Sequence, residues 1–414
     1  MERYNYDTAA TTVNIEDITS DDSNRNILRQ LKDDDPTFTV LRLCQNYPNA
    51  RWGYSLHGPL RQIKDYCPES ARDLGWVGYF IGKNTKLGEL QLLFNPLQCF
   101  HDNRTDIHAF FRGVNSNRSI QKIFFVNMNL PVGEIFQSLN PFFKKNRSLS
   151  EIVVSNCAFS VSGGCSRQLS LTLRDCNESL KCINFTDNQM GGEQSAEIIE
   201  AMSVHPQLEQ LGMGGMNIEG RNKNVPALAN LLSHEHPNSS LERLDVGYNN
   251  VGDEGALVFA NALTKNGKLK VLDLEDNGIT AEGWSGFSKV LCDTSSINKT
   301  FLSNHTLQSL GRVPNIPANI RALLESNRSN DKRQVAMKKI LKHHQHFNMQ
   351  PFFEWEWKVL PLAISWFERA RSIEEEDVAR ISKRKLEVIY QFIRAMPDVF
   401  EPAPEAAGEK RKRN

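Results

Sequence analysis

Asp245 and Asp273 occupy matching places in two near-copies of one phrase, LERLDVGYNN (241–250) and LKVLDLEDNG (269–278), and Glu275 lies two residues further along. Carboxylates arranged in this way can do acid–base work or receive a basic side chain. If each phrase is a strand of one sheet, the two aspartates lie on neighbouring strands about 4.8 Å apart. Like charges that close are unfavourable unless something cationic visits or a neighbour such as Arg243 or Lys299 neutralises them. Hydrolysis is the weaker reading, because an open strand face offers no deep cleft that excludes water.

Other residue sets with chemical potential are less ordered. Cys157, Cys165, Cys176 and Cys182 lack the CxxC spacing of a zinc site. Cys99, His101 and His108 read as a core thiol and two loop histidines, His234 and His236 as solvated residues before Pro237, and His343, His344 and His346 as a basic helix end. The chain contains no phosphate-cradling glycine loop, nucleophile elbow or zinc-protease helix. The expectation is a non-enzymatic chain with no cofactor and no metal.

What positions the aspartates is a repeated phrase, L-x-x-L-x-L-x-x-N-x-L, in which any apolar residue can stand for Leu. With its first position numbered zero, copies start at residues 38, 87, 120, 149, 180, 208, 241, 269 and 297. Period-2 alternation sends the side chains at +3 and +5 inward and those at +2, +4 and +6 outward. Asn at +8 can donate to backbone carbonyls where the chain leaves the strand, with Cys157 a partial substitute. Between phrases the spacing turns helical: residues 252–267 place Leu257, Ala260, Ala262 and Leu263 on one stripe, and 280–291 do so with Trp284, Phe287 and Leu291. A single coil of this kind has too few inward side chains to hold itself together, so neighbouring coils must share a core.

This wording resembles leucine-rich repeats, and a strand plus a full helix per coil is similar to the ribonuclease-inhibitor-like class. The resemblance implies an α/β leucine-rich-repeat solenoid over residues 36–310, a horseshoe with parallel strands on the concave face and helices on the convex face. Residues 1–35 would be an N-terminal tail and capping helix (Ile27, Leu28, Leu31), 311–400 a helical C-terminal cap, and 401–414 a disordered basic tail. LSNHTL (302–307) followed by PFFEWEWKVLPLAISWFERA looks like uncharacterised leucine-rich-repeat proteins of diatoms and related algae, a likeness that implies no activity. Some ribonuclease-inhibitor-like arrays resemble activators of the Ran GTPase. That likeness makes regulation of a small GTPase the alternative function, although the acidic segment those activators carry after their repeats is replaced here by Lys410, Arg411, Lys412 and Arg413.

Composition narrows the partners. The chain has 49 basic and 49 acidic side chains and no net charge, which argues against a long-range pull toward nucleic acid or an anionic membrane. The first residues do not form an export signal and no run is long enough to span a bilayer, so an intracellular, cytoplasmic chain with reduced cysteines is expected. The basic end at 410–413 also fits a nuclear import cluster. Nine Asn-x-Ser/Thr triplets fall largely within the repeat wording and carry no glycan meaning for such a chain.

The outward positions suggest how a partner would be held. Leu93, Phe124, Val126 and Val153 form an apolar group on three successive coils, and Arg243, Asp245, Asp273 and Glu275 a charged one further along. Together they suggest a protein-binding face for a partner with a basic segment and an apolar anchor. The long first repeat leaves 47–68 as an insertion with Trp52, Tyr54 and His57, a candidate contact loop.

Overall fold

Alternation of period two, repeated in register, can be satisfied at once by a parallel sheet, and that sheet is present. The computed structural model describes residues 4–44, 65–94, 104–128, 132–157, 164–176, 178–188, 190, 192–221, 223–233 and 240–344. Its strands are β1 (Val40–Cys44), β2 (Asp65–Tyr66), β3 (Glu89–Leu93), β4 (Lys122–Val126), β5 (Glu151–Ser155), β6 (Cys182–Asn184), β7 (Gln210–Gly212), β8 (Arg243–Asp245) and β9 (Val271–Asp273). They form one nine-stranded sheet in the order β2-β1-β3-β4-β5-β6-β7-β8-β9, with every pairing parallel. β2 comes from the 47–68 insertion and pairs on the edge of β1; between the other strands equivalent repeat positions pair, as in Leu90 with Ile123 and Leu244 with Leu272. The inward residues are buried throughout: Leu41, Leu43, Leu90, Leu92, Ile123, Phe125, Ile152, Val154, Ile183, Phe185, Leu244 and Val246 are all fully covered.

The helices are α1 (Tyr6–Ala9), α2 (Asp22–Lys32), α3 (Ala71–Lys83), α4 (Arg104–Ser116), α5 (Val132–Ser138), α6 (Asn140–Lys145), α7 (Gly164–Arg174), α8 (Gly192–Met202), α9 (Asn224–Leu231), α10 (Gly252–Leu263), α11 (Ala281–Leu291), α12 (Ile297–Leu302), α13 (Ala318–Ser326) and α14 (Lys332–His343). By internal contacts the chain divides into two compact units. One is Met1–Gly255 with Val271–Gly278 and Leu310–Val313; the other is Ala256–Lys270, Ile279–Ser309 and Pro314–Asn414. The first holds all nine strands. There α2 buries Ile27, Leu28 and Leu31 as its periodicity requires, with Asp21 accepting from the Asn24 N–H at its start. In the second unit α11 buries Trp284, Phe287 and Leu291 and packs on α13, while α12 packs on α14.

Two expectations need correction. The last phrase does not start at Ile297: residues 297–302 are helix α12, capped by Ser296, whose side chain accepts from the Lys299 N–H. Lys299 and Phe301 are therefore helical and do not face outward from a strand. The phrase recurs ten residues later, at Leu307 and Leu310 with Arg312 and Asn315, and the Leu310 carbonyl accepts from the Leu274 N–H at 3.2 Å. In α10 the buried stripe is Ala256, Phe259, Ala260 and Leu263, while Leu257 and Ala262 are half-buried. That segment is apolar at almost every position, so periodicity alone does not fix which stripe faces in. Residues 47–64, Cys99, His101, His234–236 and everything after 344 lie outside the described residues.

Asparagine holds the coils together at two levels. At +8, the Asn188 amide donates to the Val154 and Phe185 carbonyls and its Oδ1 accepts from the Cys157 N–H. Asn249 and Asn277 do the same work, and Cys157 substitutes by donating its thiol to the Phe125 and Ser155 carbonyls. A second ladder stands three residues before most phrases, with Asp35 and His205 the exceptions. Asn84, Asn117, Asn266 and Asn304 each accept from two backbone N–H groups just ahead, an Asx turn leading into the strand. Asn117 and Asn304 also donate back to the preceding coil. The hydroxyl two residues later completes the tie: Ser119 donates to the Leu87 carbonyl and Ser179 to the Leu149 carbonyl, each at 2.8 Å. The Asn-x-Ser/Thr triplets at Asn117, Asn146, Asn304 and Asn327 thus tie back to an earlier segment, whereas those at Asn184 and Asn298 lie in β6 and α12. The amides of the first four are buried.

In the second unit this ladder ends on a lysine. Lys339 Nζ, 3% exposed, meets the Leu291 carbonyl at 2.7 Å, Asn327 Oδ1 at 2.8 Å and His305 Nδ1 at 3.1 Å. Burial pushes Lys339 down to about 8 and His305 down to about 4, so the imidazole is neutral and can accept. Between about pH 8 and the ordinary lysine value of 10.5 the unfolded chain holds this proton and the folded chain does not. Stability contributed at this site therefore rises with pH across that window. Thermal unfolding of wild type and Lys339→Met should diverge there, with wild type gaining; parallel curves would refute the assignment.

Candidate protein-binding face

The outer side of the sheet is built from three rows, at +2, +4 and +6. Register sets Arg42, Gln91, Phe124, Val153, Asn184, Gly212, Asp245 and Asp273 in one line across the +4 row. At the β1 end, charge is matched locally. Arg42 reaches Gln91 and Asp65, and Lys122 Nζ lies 2.8 Å from a Glu151 carboxylate oxygen.

In the middle, Leu93, Phe124 and Val153 are on the expected face but only 8%, 6% and 3% exposed, and Val126 is half-buried. Side chains stacked in register about 4.8 Å apart cover one another. They face outward without being open to a partner, and so do not form the exposed apolar anchor.

At the β8–β9 end the character changes. Asp245 and Asp273 are register partners, both half-buried. Each turns one carboxylate oxygen onto its own chain: Asp245 Oδ1 accepts from the Gly247 N–H at 2.9 Å, and Asp273 Oδ1 from the Glu275 N–H at 3.0 Å. Asn184 makes the same bond to the Thr186 N–H at 2.7 Å, so this +4 bond does not require a charge. Glycine gives the carboxylates their room. A β-carbon on Gly311 would lie 2.0 Å from Asp273 Oδ1, and one on Gly214 3.3 Å from Asp245 Oδ1. Burial holds the Asp245 carboxyl above the ordinary carboxylate range. The charges of Asp273 and Asp187 push the same way, against the Gly247 N–H and Arg243. Arg243 is exposed on the adjacent row.

A residue passed over in the sequence completes the site. Position +7 has a left-handed backbone in the coils of β3 to β9: Phe94, Asn127, Asn156, Asp187, Gly215, Tyr248 and Asp276 have φ from 48° to 63°. Asn, Asp and Gly suit that conformation, and a bulky aromatic does not. Tyr248 nonetheless occupies it, is 59% exposed, and donates its hydroxyl to Glu275 Oε1 at 3.0 Å. Phe94 is the other aromatic at +7 but is half-buried, so departure from the consensus marks two positions and exposure sets Tyr248 apart. Tyr248 also lines a groove of about 1100 Å³ with Glu193, Glu197, Glu200 and Glu219, where Arg221 is already paired with Glu254.

Among the described residues no three His, Cys, Asp or Glu side chains come together to hold a metal, and no helix is long and apolar enough to cross a membrane. His108 is exposed on α4.

Parallel strands in equivalent register, asparagine clips between coils and helices returning the chain define an α/β leucine-rich-repeat array, solenoid-like in its sheet. Residues 238–260 and 265–288 match the family model described as Leucine Rich repeat. No curated protein matches the chain. Among solved structures it is similar to actin-binding site 2 of leiomodin-1, at 16% identity over 42% of this chain and 94% of that one, with a TM-score of 0.33. It is also similar to an internalin of Listeria monocytogenes, at 14% identity over 75% of this chain and 94% of that one, again with a TM-score of 0.33.

Proposed function

We propose that this protein is a non-enzymatic interaction scaffold that receives a basic segment of a protein partner on the outer sheet face at β8 and β9. The observation behind this reading is the pair Asp245 and Asp273 in one register slot, with Glu275 beside them and the exposed Tyr248 bonded to it. Two carboxylates held close, one of them with a raised pKa, favour an arriving cation, which relieves their repulsion. Tyr248 supplies the contact area that the buried apolar residues do not. Its ring face can take a guanidinium or ammonium group. Arg243 at the rim sets orientation by repelling like charge.

The test exploits Asn184. Because asparagine already makes the +4 bond there, Asp245→Asn with Asp273→Asn should remove charge and keep the bend. Binding of an arginine- and lysine-rich peptide, followed by fluorescence anisotropy at low salt, should weaken by about tenfold or more, with thermal unfolding unchanged. Affinity of the wild type should also fall with acidification, starting above the ordinary aspartate value of about 3.9, since the partner binds the ionised form. Equal affinity in wild type and double variant would sink this reading.

A further inference from the structure

Another pair of side chains, at the opposite edge of the sheet, has chemistry that the binding face does not use. We propose that Cys44 and Cys67 are a reversible redox pair that forms a disulfide across β1 and β2. Their sulfurs are 3.2 Å apart, with the two residues 23 positions apart in sequence. The register of β1 with β2 pairs Arg42 with Asp65 and Leu43 with Tyr66, and one more step sets Cys67 opposite Cys44. Neighbouring parallel strands about 4.8 Å apart fall within the Cα separation a disulfide spans, about 4.4–6.8 Å. The link therefore needs rotation of the side chains and little travel of the backbone.

The surroundings hold the pair ready. Buried Asn24 on α2 clamps the Cys67 backbone from both sides, donating to its carbonyl at 2.8 Å and accepting from its N–H at 3.1 Å. Cys44 is buried, whereas Cys67 is only half-buried and is the more accessible of the two. The hydrogen bond between the thiols holds Cys67 below its ordinary range and Cys44 above its own, where burial adds to the rise. Cys67 is thus the thiolate that attacks first. Cys157 and Cys176, by contrast, donate to backbone carbonyls.

With a small-molecule disulfide as oxidant the electrons balance. The Cys67 thiolate attacks one sulfur of oxidised glutathione, forming a mixed disulfide and expelling one glutathione thiolate. The Cys44 sulfur then attacks the Cys67 sulfur, giving up its proton and releasing the second glutathione. Two thiols are oxidised to one disulfide, one glutathione disulfide is reduced to two thiols, and the two protons pass to them. The product fastens β2, the first strand of the sheet, to β1 at the two ends of the inserted segment.

The full chain, equilibrated with oxidised and reduced glutathione at graded ratios, acid-quenched, alkylated and digested, should give one linked peptide, Cys44 to Cys67. It should disappear again under excess reduced glutathione. Cys44→Ser should instead accumulate a glutathione adduct on Cys67, and Cys67→Ser should leave Cys44 unmodified. Alkylation of both thiols at every ratio would overturn the proposal. So would a wild-type glutathione adduct that Cys44 never resolves, or a link from either residue to a different cysteine.

Discussion

Replacing Asn117 with alanine should lower the free energy of unfolding by about 3–5 kcal/mol, although the residue lies in no strand and touches no partner. The Asn117 side chain is 1% exposed and fully occupied. Its amide donates to the Ile81 carbonyl at 2.8 Å and to the Asn84 carbonyl at 2.9 Å, and its Oδ1 accepts from the Ser119 and Ile120 N–H groups at 2.9 Å each. Alanine leaves four backbone groups without this partner, in a place water cannot readily reach. Each such group costs about 1–3 kcal/mol when left unpaired, less whatever relaxation recovers. Asn117→Asp is the informative companion. It keeps the acceptor for the two N–H groups but turns an oxygen toward two carbonyls, so it should also destabilise, and less so at acid pH, where a protonated carboxyl can donate to one of them. Urea unfolding followed by circular dichroism measures both. A loss under about 1 kcal/mol for Asn117→Ala would mean that the second asparagine ladder is ornamental.

That ladder is written in the sequence partly in the same residues that spell glycan acceptor triplets. Of the nine Asn-x-Ser/Thr triplets, those at Asn117, Asn146 and Asn304 stand three residues before a phrase and clip one coil to the one before it. The strands themselves were legible because alternation, a fixed register and Asn at +8 all pointed the same way. The last copy was misplaced because its inward positions are weak. Arg312 stands where an apolar residue is expected and Pro317 where the phrase should end on one, while Ile297, Thr300 and Leu302 mimic the pattern on a helix. At the candidate site, pleating told which face Phe124 and Val153 occupy, but a sequence carries no information on what covers a face. Asp245 and Asp273 were found because they share a repeat position. Their commitment to the Gly247 and Glu275 N–H groups was not visible, and it decides which substitution removes charge without disturbing the bend.

Gly113→Ala should destabilise the protein by about 3 kcal/mol or more, and its sign separates two physical accounts. Considered only as a helix residue, Gly113 in α4 should gain about 1 kcal/mol on becoming alanine. The packing argues the reverse. A β-carbon on Gly113 would lie 1.7 Å from the Gly78 carbonyl oxygen, and one on Gly78 would lie 2.2 Å from the Phe110 Cα. The obstacles are backbone atoms, which cannot swing aside as a flexible side chain would. Relief requires α3 and α4 to part, opening space around Phe110, Val77 and Ile81, all now fully buried. Gly78→Ala should therefore behave like Gly113→Ala. The double variant should lose less than the sum of the two, because once the helices have parted the second β-carbon finds room. Gly267→Ala is the control, since its β-carbon would meet nothing within 4 Å; it should be neutral or slightly stabilising. If Gly113→Ala proves as stable as wild type in the same urea series, the close approach of α3 and α4 is wrong. The first coils would then have to be stacked farther apart than the β1–β3–β4 register allows.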